Sequence, residues 1–261
     1  PTRERLQAAA SATYAPPLRM RLVRIVFEAM HTSLPTAILI VMALFMSDMM
    51  AGEIDNGAWG SLFWTLMAAG LATSGILYLV AVAFKWTLIG TYKPMNRPMW
   101  SWWSMRTEAV AVFYGGLASK MLLDYLRGTP FLPWLLRPFG AKIGQGTWIN
   151  STDICEFDCT SIGDHAVINM GSCPQTHLYE DRIMKVGRIK IGKGVSVGSG
   201  STVLYEANVG DFAEIGLLTL VMKGEAIPAG TSWVGAPAQA VQVEAEAAPV
   251  VQKEALPSAA A

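Results

Sequence analysis

The fold is decided by residues 189–227, which read IKIGKGVSVGSGSTVLYEANVGDFAEIGLLTLVMKGEAI. A six-residue aliphatic period fits neither a 3.6-residue helix nor a two-residue strand alternation. It fits a triangular coil in which each short face contributes one inward aliphatic, so three hexapeptides make a coil of about 18 residues with strands stacked ~4.8 Å apart. We therefore predict a parallel β-helix of about five coils over residues 141–241. The positions that carry the period are Ile191, Val197, Val203, Val209, Ile215, Val221 and Ile227.

Two breaks in this period mark one region of the β-helix as unusual. Ile162 lies 19 residues after Ile143, which is one coil plus one residue, and Ile191 lies 29 residues after Ile162, which is one coil plus eleven. The polar stretch 173–188, CPQTHLYEDRIMKVGR, is the only candidate for the longer insertion. Loops that leave a regular solenoid tend to carry binding and catalysis, so we expect the functional site here.

The same offsets indicate a candidate catalytic group. Asp158 plus 19 is His177, and His177 plus 29 is Glu206, provided that the insertion follows His177. We expect these three side chains at one corner of successive coils, where a carboxylate would orient the imidazole as a general base. The alternative is a surface histidine in a salt-bridged network with Glu180, Asp181 and Arg182.

Two apolar segments predict a membrane hairpin over residues 23–90. Residues 62–88 are longer than the ~20 residues needed to cross a bilayer core, and residues 34–50 with 22–30 before them make a weaker second span. A pair of buried core helices is the alternative. Basic residues flank both outer ends, while the intervening AGEIDNG carries only acids. The positive-inside rule then places residues 1–22 and the β-helix on the cytoplasmic face of the inner membrane.

A connector, residues 91–140, joins the spans to the β-helix. It contains an amphipathic helix that could lie in the membrane surface, pack on the spans or cover the end of the β-helix. Residues 242–261 are expected to be a disordered tail. The apolar face of the helix is formed by Val110, Phe113, Tyr114, Leu117 and Met121.

Charge and composition exclude several functions. The formal net charge is +0, so there is no basic footprint for nucleic acid. Cys155, Cys159 and Cys173 form no CxxC pair and are interpreted as reduced and structural. The sequence has 3 histidines, and His31 and His165 lie far from His177 in the chain, so no bound metal is expected.

Several motifs resemble known families. The order INMGSCPQTHLYEDRIMK, IKIGKGVSVGSG and WVGAPAQ is similar to the hexapeptide acyltransferases. FKWTLIGTYKP, CEFD, QTHLYEDRIMK, VLYEANVG and VMKGEAIPAGTSW resemble the C-terminal region of the ε-poly-lysine synthetases, single-module nonribosomal peptide synthetases that make homopolymers of amino acids. That resemblance covers residues 84–238 and implies a left-handed β-helix, one of three tandem membrane-embedded units that form the peptide bond.

The resemblance also implies roles for individual residues. His177 would deprotonate the attacking amine, with Asp158 and Glu156 orienting it or holding a cationic acceptor, while the aminoacyl thioester arrives on a phosphopantetheine arm. No cofactor would be bound directly. The expected partners are carrier and adenylation domains of the same synthetase, sibling β-helix units or a homotrimer, and membrane lipid. The expected substrate contacts are Glu206, Gln175, Glu180, Asp181, Arg182, Lys223 and Trp233.

Two other interpretations stay open. Many hexapeptide transferases end in G-x-P-A-R/K, where the basic residue meets a cofactor phosphate, and Gln239 stands at that place here. A carrier-delivered arm would need this contact less than coenzyme A does. The alternatives are therefore a membrane-bound acyltransferase that uses coenzyme A, and a non-catalytic structural copy.

Overall fold

In a computed structural model, which describes residues 16–241, the chain begins with two long helices, α1 (Leu18–Asp55) and α2 (Trp59–Leu88). Most of their apolar side chains are exposed, whereas a soluble core helix would bury them. Both are long and apolar enough to cross a membrane, since even 30 residues of helix extend about 45 Å. The two expected spans are therefore present as helices, and α1 begins five residues before the predicted hairpin.

The connector folds into a strand and several short helical segments. Ser101 caps the first of these helices by accepting a hydrogen bond from the backbone N–H of Ser104 at 3.2 Å. The elements are β1 (Met95–Pro98), α3 (Trp102–Phe113), a π-helix (Tyr114–Ser119), a 3-10 helix (Leu123–Leu126), α4 (Phe131–Leu136) and a second 3-10 helix (Arg137–Phe139).

The predicted apolar face of the connector helix is buried on two neighbours. The ring of Phe113 stacks on Phe84 of α2 with centroids 3.7 Å apart. One residue later, Tyr114 makes edge contacts with Phe139 and Phe157. The helix therefore packs on the spans and also covers the beginning of the β-helix, which sequence periodicity had left undecided.

The β-helix is built from short strands that pair in parallel between coils. One sheet stacks five strands in the order β15-β12-β9-β4-β2, and a second has the order β17-β16-β13-β10-β5-β3. A third contains β14-β11-β6. The strands are β2 (Lys142–Ile143), β3 (Trp148–Ile149), β4 (Thr160–Ile162), β5 (Val167–Ile168), β6 (Cys173–Gln175), β9 (Ile189–Ile191), β10 (Ser196–Val197), β11 (Thr202–Leu204), β12 (Asn208–Val209), β13 (Glu214–Ile215), β14 (Leu220–Val221), β15 (Ala226–Ile227), β16 (Ser232–Val234) and β17 (Gln239–Ala240).

The six-residue period is the core of this β-helix. Ile143, Ile162, Ile191, Val209 and Ile227 stand in register on five successive strands, and all are buried. Each such side chain contributes roughly 1.5–3 kcal/mol through burial. The hexapeptide β-helix expected from the sequence is thus confirmed as an architecture.

Small residues turn the corners because neighbouring coils approach closely there. A Cβ placed on Gly163 would lie 2.6 Å from the carbonyl carbon of Gly192 in the next coil. The two glycines are therefore required by packing between coils.

The eleven-residue insertion is an antiparallel hairpin of β7 (His177–Glu180) and β8 (Ile183–Val186). It is closed by a 2.9 Å hydrogen bond from the Gly187 N–H to the Thr176 carbonyl, so it starts at His177 itself. The condition that the insertion follows His177 is therefore wrong. β1 of the connector pairs antiparallel with β8, and this three-stranded sheet ties the hairpin to the membrane half of the chain.

Candidate active site

His177 and Glu156 form a hydrogen-bonded pair at the base of the hairpin. Nδ1 of His177 lies 2.8 Å from Oε2 of Glu156. A carboxylate can only accept, so the imidazole donates from Nδ1 and leaves the Nε2 lone pair available to take a proton. The Glu156 side chain is 1% exposed and that of His177 is 18% exposed. The acid is therefore buried behind the imidazole, as in other carboxylate–histidine pairs.

The first break in the hexapeptide period places Glu156 in this position. Its backbone is left-handed, with φ 33° and ψ 62°, at the point where the chain carries its one extra residue before β4. The Thr176 hydroxyl lies 2.5 Å from Glu156 Oε2 and 3.0 Å from the carbonyl oxygen of Cys155. These contacts satisfy a buried carboxylate that would otherwise be costly to keep charged.

A cavity of about 830 Å³ opens in front of this pair. Its volume is in the range of small-molecule sites, roughly 300–1,000 Å³. One wall is the face of the β-helix that carries Cys155 and Gln175, and the opposite wall is α3 with the π-helix that follows it. The cavity is thus enclosed by the β-helix, the hairpin and the membrane-proximal helices of one chain.

Residues from three elements meet at the hairpin side of the cavity. Arg24 of α1 donates to Glu108 of α3 at 2.8 Å, and the Tyr179 hydroxyl of β7 donates to the same carboxylate at 3.4 Å. Burial, reinforced by the negative charge of Glu108, raises the pKa of Tyr179 to about 12. The Tyr179 ring also meets the His177 ring edge-on, with centroids 5.7 Å apart.

Asp158 does not orient His177, and its expected stacking on that residue is wrong. Its carboxylate instead pairs with Lys85 at 2.8 Å and accepts the backbone N–H of Tyr92 at 2.9 Å. The offset of 19 residues fails here because the extra residue of the coil is taken up around Glu156. Glu156 therefore occupies the position expected for Asp158.

Glu206 is also placed wrongly by the sequence offsets. It lies at an exposed corner with φ 65°, and its N–H donates to the Arg188 carbonyl at 2.8 Å. Because the hairpin begins at His177, the coil position below Glu206 is filled by residues 187–188. The three-residue stack of Asp158, His177 and Glu206 therefore does not form.

The remaining expected contacts divide between the cavity and the outer surface. Gln175 lines the cavity and donates from Nε2 to the His177 carbonyl at 3.0 Å. Asp181 and Arg182 form the hairpin turn, where both have positive φ. Trp233 lies on β16, near the C-terminal end of the β-helix, and donates to the Thr231 hydroxyl at 2.9 Å.

Glu180 and Lys223 form the salt-bridged network considered as an alternative, but without His177. Glu180 bonds to Lys185 at 2.6 Å and also to Lys223. Hydrogen bonds from Lys185 and Lys223 lower the pKa of Glu180 to about 2, and Glu180 in turn raises the pKa of Lys223. This network fixes the outer side of the hairpin against the β-helix.

One group of donors near the pair has metal-ligating chemistry. Ligand atoms of Cys155, Glu156 and His177 lie within 4.8 Å of one another. However, the Glu156 carboxylate already accepts from His177 and Thr176, and burial raises the pKa of the Cys155 thiol. The arrangement is therefore that of a hydrogen-bonded pair with a protonated thiol beside it.

Several residues at the site were not predicted from the sequence. Thr176 adjoins His177 in the QTH stretch but carries no spacing signal of its own. Lys85 did have a signal, because it is the one charged residue in the apolar stretch 62–88 and isolated charges in spans are commonly functional. The helix wall with Glu108 and Tyr114 depends on tertiary packing.

Comparisons with known proteins agree with this architecture. The chain is 42% identical over 226 residues to the delta-poly-L-ornithine synthetase of Acinetobacter baumannii (strain AB307-0294), which covers 87% of this chain and 17% of that protein. The chain thus spans about a sixth of that relative. It is 28% identical over 133 residues to YvoF of Bacillus subtilis (strain 168), whose name places it among acetyltransferases, covering 48% of this chain and 76% of that protein. No family model matches the sequence.

Among solved structures, the chain is similar to a galactoside acetyltransferase in complex with coenzyme A, with a TM-score of 0.38 and 18% identity over 46% of this chain and 76% of that one. A hexapeptide-repeat-containing acetyltransferase from Vibrio cholerae gives a TM-score of 0.38 and 16% identity over 46% of this chain and 85% of that one.

Proposed function

Because the chain is related to a poly-amino-acid synthetase and has an acyltransferase-like β-helix, we propose that it is the membrane-anchored transfer unit of such a synthetase. It would join an aminoacyl group, carried as a thioester on a phosphopantetheine arm, to the amine of a free amino acid or a growing polymer. The observation that carries this proposal is the His177–Glu156 pair facing a cavity large enough for both reacting groups.

In the proposed reaction, His177 acts as the base. The acceptor nitrogen attacks the thioester carbonyl, and Nε2 of His177 takes the proton that this nitrogen loses. The C–S bond then breaks, the proton on the imidazolium passes to the departing thiolate, and an amide is left. Glu156 holds the tautomer with the proton on Nδ1 and stabilises the imidazolium formed during the reaction.

The wider assembly is part of the same proposal. Two apolar helices would hold the unit in the inner membrane with the β-helix, which we propose to be left-handed, on the cytoplasmic side. Carrier and adenylation domains would supply the thioester. Sibling β-helix units or a homotrimer would be neighbours, although the cavity is already walled by helices of this chain.

The test is a His177→Asn variant in the complete synthetase that contains this chain. Asparagine can still donate to Glu156, but it cannot take a proton at neutral pH. We expect polymer formation to fall at least about a hundredfold, in the range for loss of a general base, while adenylation and carrier loading are unchanged. His165→Asn is the matched control, because His165 lies at a corner with φ 57°, a conformation that asparagine tolerates.

Retention of full polymer synthesis in the His177→Asn variant would contradict the proposal and favour a non-catalytic structural copy. The coenzyme A alternative is separated by a second measurement. Transfer from acyl-coenzyme A in the absence of any carrier protein would support it, whereas we expect transfer only from a loaded carrier.

A further inference from the structure

Asp158 is held from three directions in the structure. Lys85, near the end of α2, is 0% exposed and places its ammonium 2.8 Å from Asp158 Oδ2 and 3.6 Å from the centroid of the Trp86 ring. The backbone N–H of Tyr92 donates to the same oxygen at 2.9 Å. Gly140 passes so close that a Cβ on it would lie 2.3 Å from Oδ1. The second span is therefore locked to the first coils of the β-helix through a buried charge pair.

The turn that contains Asp158 also carries the acid of the candidate active site. Glu156 has a left-handed backbone and immediately precedes the 3-10 turn Phe157–Cys159, which is closed by a 2.7 Å hydrogen bond from the Cys159 N–H to the Glu156 carbonyl. A glutamate persists in such a backbone conformation only where its surroundings over-determine it. Asp158, in the middle of the turn, is its charged attachment to α2 and to the connector.

We propose that Lys85 and Asp158 are positioning residues for the His177–Glu156 pair. By fixing the turn, they hold the Glu156 carboxylate where it accepts from Nδ1 and so select the imidazole tautomer with Nε2 unprotonated. The second span thus sets the state of the base. The effect on tautomer depends on the described contacts alone, whereas the effect on rate rests on the proposed function.

The test uses ¹⁵N-histidine-labelled protein in detergent and the ¹⁵N shifts that distinguish the two imidazole tautomers. The sequence has 3 histidines, so His177→Asn assigns the signal by its loss. We expect the wild type to hold its proton on Nδ1 and Asp158→Asn to give a mixture of tautomers. In the complete synthetase, kcat should fall roughly ten- to hundredfold, as for other supporting groups, with the acceptor KM unchanged.

A double variant separates positioning from stability. Asp158→Asn leaves the Lys85 charge buried without a counter-charge, whereas Lys85→Met with Asp158→Asn removes both charges and keeps an acceptor for the Tyr92 N–H. We expect the double variant to recover the melting temperature but to keep the mixed tautomers and the low kcat. It also provides the measurement if the single variant does not fold.

The matched control is Asp164→Asn, because Asp164 also accepts a backbone N–H, from Gln145 at 2.7 Å, at a corner away from His177. Wild-type tautomer and kcat in folded Asp158→Asn would overturn the proposal, as would recovery of tautomer and kcat in the double variant. If the tautomer changes as expected but His177→Asn still makes polymer, positioning stands and the proposed function fails.

Discussion

Nδ1 of His177 donates to Oε2 of Glu156 at 2.8 Å, although 21 residues separate the two in the chain. Each residue stands at one of the two places where the hexapeptide period is broken. The extra residue before β4 brings Glu156 into the site, and the hairpin that starts at His177 directs the imidazole into the cavity. The irregularities of the β-helix, and not its repeats, therefore build the candidate site.

Replacing Glu156 by glutamine should disable the histidine without removing it. The glutamine amide can present an N–H to Nδ1 and so favour the wrong tautomer, and it carries no charge to stabilise the imidazolium. We expect kcat for polymer formation to fall about 10²–10⁴-fold, measured with a preloaded carrier. Glu214→Gln, at an exposed strand position, is the control. Equal rates in the two variants would contradict the role given to Glu156.

Thr176→Val tests the hydroxyl that supports the buried acid. Valine has nearly the same shape but cannot donate to Glu156 or to the Cys155 carbonyl. Because a buried acceptor is then left without its partner, we expect a loss of about 1–3 kcal/mol in the free energy of unfolding. Denaturant unfolding in detergent measures it, and an unchanged midpoint would show that the hydroxyl is not needed.

Tyr114→Phe should loosen the contact between the connector and the β-helix. The Tyr114 hydroxyl donates to the Thr152 carbonyl at 2.8 Å in a buried position, while its ring contacts would survive the change. We expect a cost of about 1–3 kcal/mol, from the same unfolding measurement, for leaving that carbonyl unpaired. Tyr125→Phe, at an 80% exposed tyrosine, is the control and should be neutral. Equal stability of both variants would contradict this role.

The hairpin network should be sensitive to acid. The pKa of Glu180 is lowered to about 2 by Lys185 and Lys223, so its contribution to stability is present above the ordinary glutamate pKa of roughly 4.3. That contribution is lost as pH falls towards 2. We expect Glu180→Gln to lower the melting temperature at pH 7 and the difference to shrink below about pH 4. A difference that grows on acidification would contradict the sign of this linkage.

Gly140→Ala should disturb the anchoring of Asp158. Gly140 has φ 109°, which side chains rarely adopt, and an added Cβ would lie 2.3 Å from Asp158 Oδ1. We expect a drop of several degrees in melting temperature, since even about 1 kcal/mol is visible on that scale. Gly70→Ala is the control, because a Cβ there would meet nothing within 4 Å. Equal melting temperatures would show that the turn can move without loss.

The sequence by itself determined the β-helix, the two apolar helices and the importance of His177. A hexapeptide period and a long uncharged stretch are local patterns that only a few structures can satisfy. The breaks in the period were also visible as offsets of 19 and 29 residues. Counting could not say where in each coil the extra residues are absorbed, because that depends on the backbone conformation of a single residue.

Only the tertiary structure decided which acid meets the imidazole. The left-handed conformation of Glu156 and the start of the hairpin at His177 exchanged Asp158 for Glu156 and removed Glu206 from the site. Asp158 found its partner in Lys85, 73 residues earlier in the chain. Contacts over such separations are selected by packing and by the need to pair buried charges, and neither leaves a periodic trace in the sequence.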